Sequence, residues 1–167
     1  TGTRTHHNIS ATGGSDRVRF FASIGYLNED GNIDNYGYNR LNLRSNIDAK
    51  LTKSLTFTLG VSGRIEKRDS PRYSANPDDW HNVPQQVIRA LPYVPDTYEY
   101  EGKTYNVSTP TASSPVAPLA SINESGYSKS NYSYIQSNFS LKYDAPWLKG
   151  LSFKFQGAYD LTYNFSK

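Results

Sequence analysis

Residues 151–165, LSFKFQGAYDLTYNF, alternate for fifteen residues, with one face apolar at nearly every second position. Leu151, Phe153, Phe155, Gly157, Tyr159, Leu161, Tyr163 and Phe165 share one parity, and Ser152, Lys154, Gln156, Asp160, Thr162 and Asn164 share the other. A period of two sends successive side chains to opposite faces of a β-strand, so this strand has one apolar and one polar side. The stretch YNRLNLRSNIDAKL (38–51) is built in the same way. Leu41, Leu43, Ser45, Ile47, Ala49 and Leu51 oppose Asn42, Arg44, Asn46, Asp48 and Lys50. At about 3.3 Å per residue such a strand is ~46 Å long, against a usual ~17 to 20 Å. Tilted by about 45°, it still rises roughly 33 Å, enough to cross the apolar band of an outer membrane.

The same period predicts strands over 5–12, 17–27, 38–51, 54–65, 131–145 and 151–165. Their connections alternate in length. GGSD (13–16), TKS (52–54) and PWLKG (146–150) are tight turns made of turn-forming residues. NEDGNIDNYG (28–37) and the stretch 67–130 are long. Short turns on one side and long loops on the other describe an all-β, antiparallel up-and-down meander of the transmembrane-barrel kind. Within the long loop, VPQQVIRAL (83–91) has helical spacing, with Asn82 placed to cap it and Pro84 in its first turn. TYEYEGKTYNV reads as a small hairpin around Glu101-Gly102-Lys103. A loop of this length is seldom a plain connector.

Composition narrows the alternatives. Of the 167 residues only 36% are hydrophobic while 14% are aromatic, with Tyr occurring 14 times, so aliphatic side chains are scarce for filling a compact interior. The chain has no Cys, which removes disulfides and thiolate metal sites. The 18 basic and 15 acidic residues give a formal charge of +3, and the basic ones are scattered rather than gathered into a nucleic-acid patch. No apolar run reaches the roughly 18 residues of a membrane helix, a test that a transmembrane strand would not meet either. Aromatic residues near strand ends (Tyr26, Tyr132, Tyr134, Tyr143, Trp147, Tyr163 and Phe165) suit an interfacial girdle, although Tyr132 and Tyr134 fall on the polar parity.

Three blocks, HHNISATGGSDRVRFFASIGYLNEDGNI, YNRLNLRSNIDAKLTKSLTFTLGVSGRIE and DDWHNVPQQVIRALPYVP, resemble the barrel of SusC/RagA-type TonB-dependent outer-membrane transporters. The resemblance implies a barrel of about 22 strands with an N-terminal plug, a SusD-like surface lipoprotein as lid, energy relayed by the TonB complex, and oligosaccharide or peptide cargo. It also implies localisation in the outer membrane of a Gram-negative bacterium, with outer-membrane lipid around the barrel, no cofactor and no enzymatic activity. Residues 1–167 match only part of that barrel domain, and neither plug nor TonB box is recognisable. The chain is therefore expected to be a piece of the larger barrel, with 67–130 as an extracellular loop.

Site residues follow from parity and from the loop. Arg44, Asp48, Lys50, Arg64, Lys142, Lys154 and Asp160 lie on polar strand faces and are expected to line the lumen or meet the plug. Tyr73, Trp80, Tyr93, Tyr98 and Tyr100 are the candidates for cargo or partner contact, because sugar rings stack on aromatic planes. His6, His7 and His81 have no metal-ligand spacing, and no carboxylate pair has catalytic geometry, so neither a metal site nor a catalytic site is nominated. The alternative reading is a soluble extracellular carbohydrate-binding β-sheet module using the same aromatic loop. The two differ in whether the apolar strand faces are covered by a second layer.

Overall fold

The computed structural model describes residues 2–72, 83–108 and 117–167. Strands β1 (Arg4–Gly14), β2 (Val18–Asp30), β3 (Gly37–Lys50) and β4 (Leu55–Pro71) come first. Helix α1 (Val83–Arg89), the ribbon β5 (Thr97–Tyr100) and β6 (Lys103–Asn106), and helix α2 (Pro118–Asn123) follow. β7 (Tyr127–Asp144) and β8 (Ser152–Ser166) complete the order. One six-stranded sheet runs β1-β2-β3-β4-β7-β8 with every neighbouring pair antiparallel, and β5-β6 stands as a separate two-stranded ribbon. The expected meander of six long strands is therefore the observed fold.

The tight turns all lie at one end of the sheet. In the first, the Ser15 hydroxyl oxygen accepts from the backbone N–H groups of Val18 (3.3 Å) and Arg17 (3.4 Å), which holds the reversal locally. In the second, Thr52 Oγ1 accepts from the Ser54 N–H at 3.2 Å. The third closes at Gly150, whose φ of +94° is disfavoured for residues carrying a Cβ. The opposite end carries the 31–36 link and the long insertion between β4 and β7.

β4 and β7 run further into that insertion than alternation suggested, pairing as far as Pro71 opposite Tyr127. Beyond Ile65 both faces of β4 turn polar, so the contrast that marks a strand fades while the backbone ladder continues. The insertion has its own order. The Gln86 side-chain oxygen accepts from Ser121 Oγ (2.9 Å) and the Ala117 N–H (3.2 Å), which ties α1 to α2. Asn106 Nδ2 donates to Glu124 Oε1 at 2.5 Å, tethering the ribbon to the α2 end, and Asn35 Nδ2 donates to the Ile122 carbonyl at 3.0 Å. The hairpin turns at Glu101 and Gly102, both at positive φ (49° and 73°), the geometry of a two-residue turn matched to strand twist. Helix α2 was not foreseen: six residues are too few to show a helical period. Asn82, the expected cap of α1, lies outside the described residues.

Register sorts the side chains into cross-strand rows, because directly opposed residues share a face. One row reads Ile9, Ile24, Leu43, Gly63, Ile135, Leu161. Another reads Gly13, Phe20, Ile47, Leu59, Phe139, Gly157. In that second row each flanking glycine sits under a phenyl ring. A Cβ at Gly13 would lie 2.7 Å from Phe20 Cζ, and one at Gly157 would lie 2.5 Å from Phe139 Cε1. The glycines let both rings lie flat across the strand beside them, an aromatic cover for residues that otherwise weaken a strand.

A soluble sheet would bury these rows under a second layer. Here Ile9 is 71% exposed, Ile24 45%, Leu43 46%, Ile135 47% and Leu161 47%. Buried apolar side chains are few among the described ones, namely Leu27, Pro71, Val83 and Ala145. The sheet is a wall with an uncovered apolar side, and β1 and β8 each pair along one edge only among the described residues.

Candidate functional site

The other side of the wall carries every polar-face residue picked out from sequence. Arg44 and Asp160 lie in one row, Ser10, Ser23, Arg44, Ser62, Gln136, Asp160, but three strand spacings apart, roughly 14 Å. Asp48 stands opposite Thr58 and accepts from its hydroxyl at 2.8 Å. Lys50, Thr56, Lys142 and Lys154 form a row at the tight-turn end, where Lys142 Nζ meets Asp144 Oδ1 at 2.9 Å. These residues share a face without converging on one point.

Convergence occurs at the long-loop end, where Arg64, picked out from sequence, meets Glu66, Arg68 and Arg40, which were not. Arg64, Glu66 and Arg68 project from the same face of β4. Arg64 Nε lies 3.1 Å from Glu66 Oε1, and Arg68 Nη2 lies 3.4 Å from Glu66 Oε2. Arg40 on β3 stands directly opposite Glu66, and its buried Nε has no hydrogen-bond partner among the described residues. The guanidinium carbon of Arg64 sits 4.4 Å from the ring centre of Tyr134, its cross-strand partner. Arg68 lies 5.5 Å from the ring of Tyr38 and 5.7 Å from that of Tyr132. Aromatic faces attract cations and leave the guanidinium edges free to donate.

Clefts flank this cluster on both sides. One of about 580 Å³ is lined by Glu29, Tyr38, Arg68, Ser130 and Tyr132 among others. The second, of about 530 Å³, lies further toward the tight turns and is lined by Asn42, Arg44, Arg64, Tyr134 and Gln136. Two carboxylates line the first cleft: Glu29 is engaged by Arg4 at 3.6 Å and Asp69 by Lys129 at 4.0 Å. A parity signal for the cluster was present, since 64, 66 and 68 are same-face positions, but the predicted strand stopped at Ile65.

Of the loop aromatics, Tyr93 is 78% exposed and Tyr100 60% exposed. Tyr98 stacks on Tyr105 across the hairpin, with ring centres 5.3 Å apart and planes 20° from parallel. Tyr73 and Trp80 lie outside the described residues. No group of three or more His, Asp or Glu side chains suitable for a metal occurs among the described residues.

A wall of long strands with one polar and one uncovered apolar face is the architecture of an outer-membrane barrel. No family model matches the chain. A curated relative, TonB-dependent receptor P39 of Formosa agariphila, is 31% identical over 68 residues, covering 41% of this chain and 7% of the relative. Among solved structures, the RagAB peptide importer in its closed-closed state superposes with a TM-score of 0.65 at 22% identity, covering 96% of this chain and 18% of the solved one. The chain thus spans a small part of each. The fold is similar to a stretch of the RagAB importer's structure, and over 68 residues the sequence is similar to a TonB-dependent receptor.

Proposed function

We propose that this chain forms part of an outer-membrane TonB-dependent importer that takes up oligosaccharides or peptides beneath a SusD-like surface lipoprotein. The apolar rows face lipid, the polar rows face the lumen or plug, and the 72–126 insertion with its aromatic hairpin lies on the extracellular side. The observation that carries this is the sheet itself: its central apolar row remains near half exposed, which water penalises and lipid does not. The same observation disfavours a soluble carbohydrate-binding module, whose sheet would need cover. Transport, with no chemistry on the cargo, is the activity, and energy arrives through TonB.

The test is uptake in the source bacterium of fluorescent oligosaccharides and of fluorescent peptides, with and without the intact receptor. Accumulation of one class that depends on both the receptor and TonB is expected. Equal uptake in receptor-deleted cells for both classes would defeat the proposal.

A further inference from the structure

We propose that Arg40, Arg64 and Arg68 form a recognition site for a carboxylate group on the cargo, which makes this an importer of anionic molecules. The inference rests on reading the polar face as the lumen wall. Glu66 engages one nitrogen of Arg64 and one of Arg68, and Arg40 stands opposite it on β3. Each guanidinium carries several donors in a planar fork, so most of that capacity is unspent by Glu66. The Nε of Arg40 has no hydrogen-bond partner among the described residues, so Arg40 is not committed to Glu66.

Position and preparation also favour a ligand. The cluster lies at the long-loop end of β3 and β4, bordered by the two clefts, so it faces what enters past the loop. Tyr38, Tyr132 and Tyr134 hold Arg64 and Arg68 by their faces, which fixes the guanidinium planes before anything binds. Glu66 keeps Arg64 and Arg68 together against their mutual repulsion while leaving the group cationic. A planar fork held in this way matches a carboxylate, in two parallel hydrogen bonds, better than it matches a neutral hydroxyl. The carboxylate could be a peptide C-terminus or the acid group of an acidic sugar, and the experiment separates them.

The intact receptor, purified in detergent, is titrated with a short peptide bearing a free C-terminus and with the same peptide amidated. A parallel pair uses an acidic oligosaccharide and its methyl ester. The free acid of one pair is expected to bind about tenfold more tightly than its neutral form. Arg68→Gln and Arg40→Gln should each erase most of that difference. Barrel integrity in each variant is checked by the heat-dependent shift in gel mobility. Equal affinity for acid and neutral forms in the unaltered receptor would overturn the inference, as would an acid preference that survives both substitutions. Importer function would stand in either case if neutral cargo is still taken up in a TonB-dependent way.

Discussion

Arg64 Nε meets Glu66 Oε1 at 3.1 Å on the same face of β4, and the Glu66 side chain is only 7% exposed while that of Arg64 is 45% exposed. The carboxylate is thus enclosed beneath the basic side chains that neutralise it. Replacing Glu66 with Ala removes the one anion between Arg64 and Arg68 and leaves like charges adjacent. Breaking a buried pair is strongly destabilising, but both arginines reach solvent, which screens the repulsion. We expect Glu66→Ala to lower the stability of the intact receptor by about 1 to 2 kcal/mol and Glu66→Gln by less. The midpoint of the heat-induced gel-mobility shift reports both.

Gly157 under the Phe139 ring gives a second expectation. A side chain at 157 would meet the ring at Cε1 and Cζ. Gly157→Val should therefore force the ring aside, with a loss of about 1 to 3 kcal/mol typical of overpacking. Phe139→Ala should also destabilise, yet the double variant should be less damaged than the sum of the two, because the clash disappears with the ring. Additive effects in a thermal-shift cycle would show that the contact is unimportant.

Leu43 and Asn42 are neighbours on β3 that lie on opposite faces of the sheet. Leu43 lies in the central apolar row, while Asn42 lies in the polar row with Arg64 and Tyr134. With the apolar face in lipid, Leu43→Arg should cost about 2 to 4 kcal/mol near the bilayer midplane. Asn42→Arg, on the polar face but opposite the like charge of Arg64, should cost less than about 1 kcal/mol. Unfolding in lipid vesicles measures the pair, and similar penalties for both would remove the lipid assignment.

How much of this was legible in the sequence depended on contrast between the two faces. Where Leu, Ile and Phe alternate with Arg, Asp and Lys, as at 38–51 and 151–165, strand and face could both be read directly. Where both parities turn polar, as in Glu66, Lys67, Arg68 and Asp69, the pattern vanished although the ladder continued, and the arginine cluster went unseen with it. Pairing across strands was also hidden: nothing local to Arg64 says that Tyr134, seventy residues on, will lie beneath it. The hairpin at Glu101-Gly102 was readable because its turn demands particular residues, whereas the short helix α2 makes no such demand. The polar residues chosen by parity share a face, but parity alone has no information about which of them converge.

The last prediction concerns the β5-β6 hairpin, which forms a sheet of its own apart from the wall. Tyr98 and Tyr105 stack across it, so Tyr98→Ala removes a ring pair worth about 0.5 to 1.5 kcal/mol from the hairpin alone. Tyr100, 60% exposed, lies two residues along on the same strand and face, opposite Lys103. If the hairpin presents its rings to cargo, Tyr100→Ala should weaken capture roughly three- to tenfold by removing a stacking surface. Tyr98→Ala should do so as well by loosening the ribbon that holds Tyr100. Because the wall's ladder does not include the hairpin, the gel-mobility midpoint should stay unchanged in both variants. Affinity for the transported oligosaccharide or peptide, measured on the intact receptor by titration calorimetry, is the deciding quantity; wild-type affinity in both variants would exclude the hairpin rings from cargo capture.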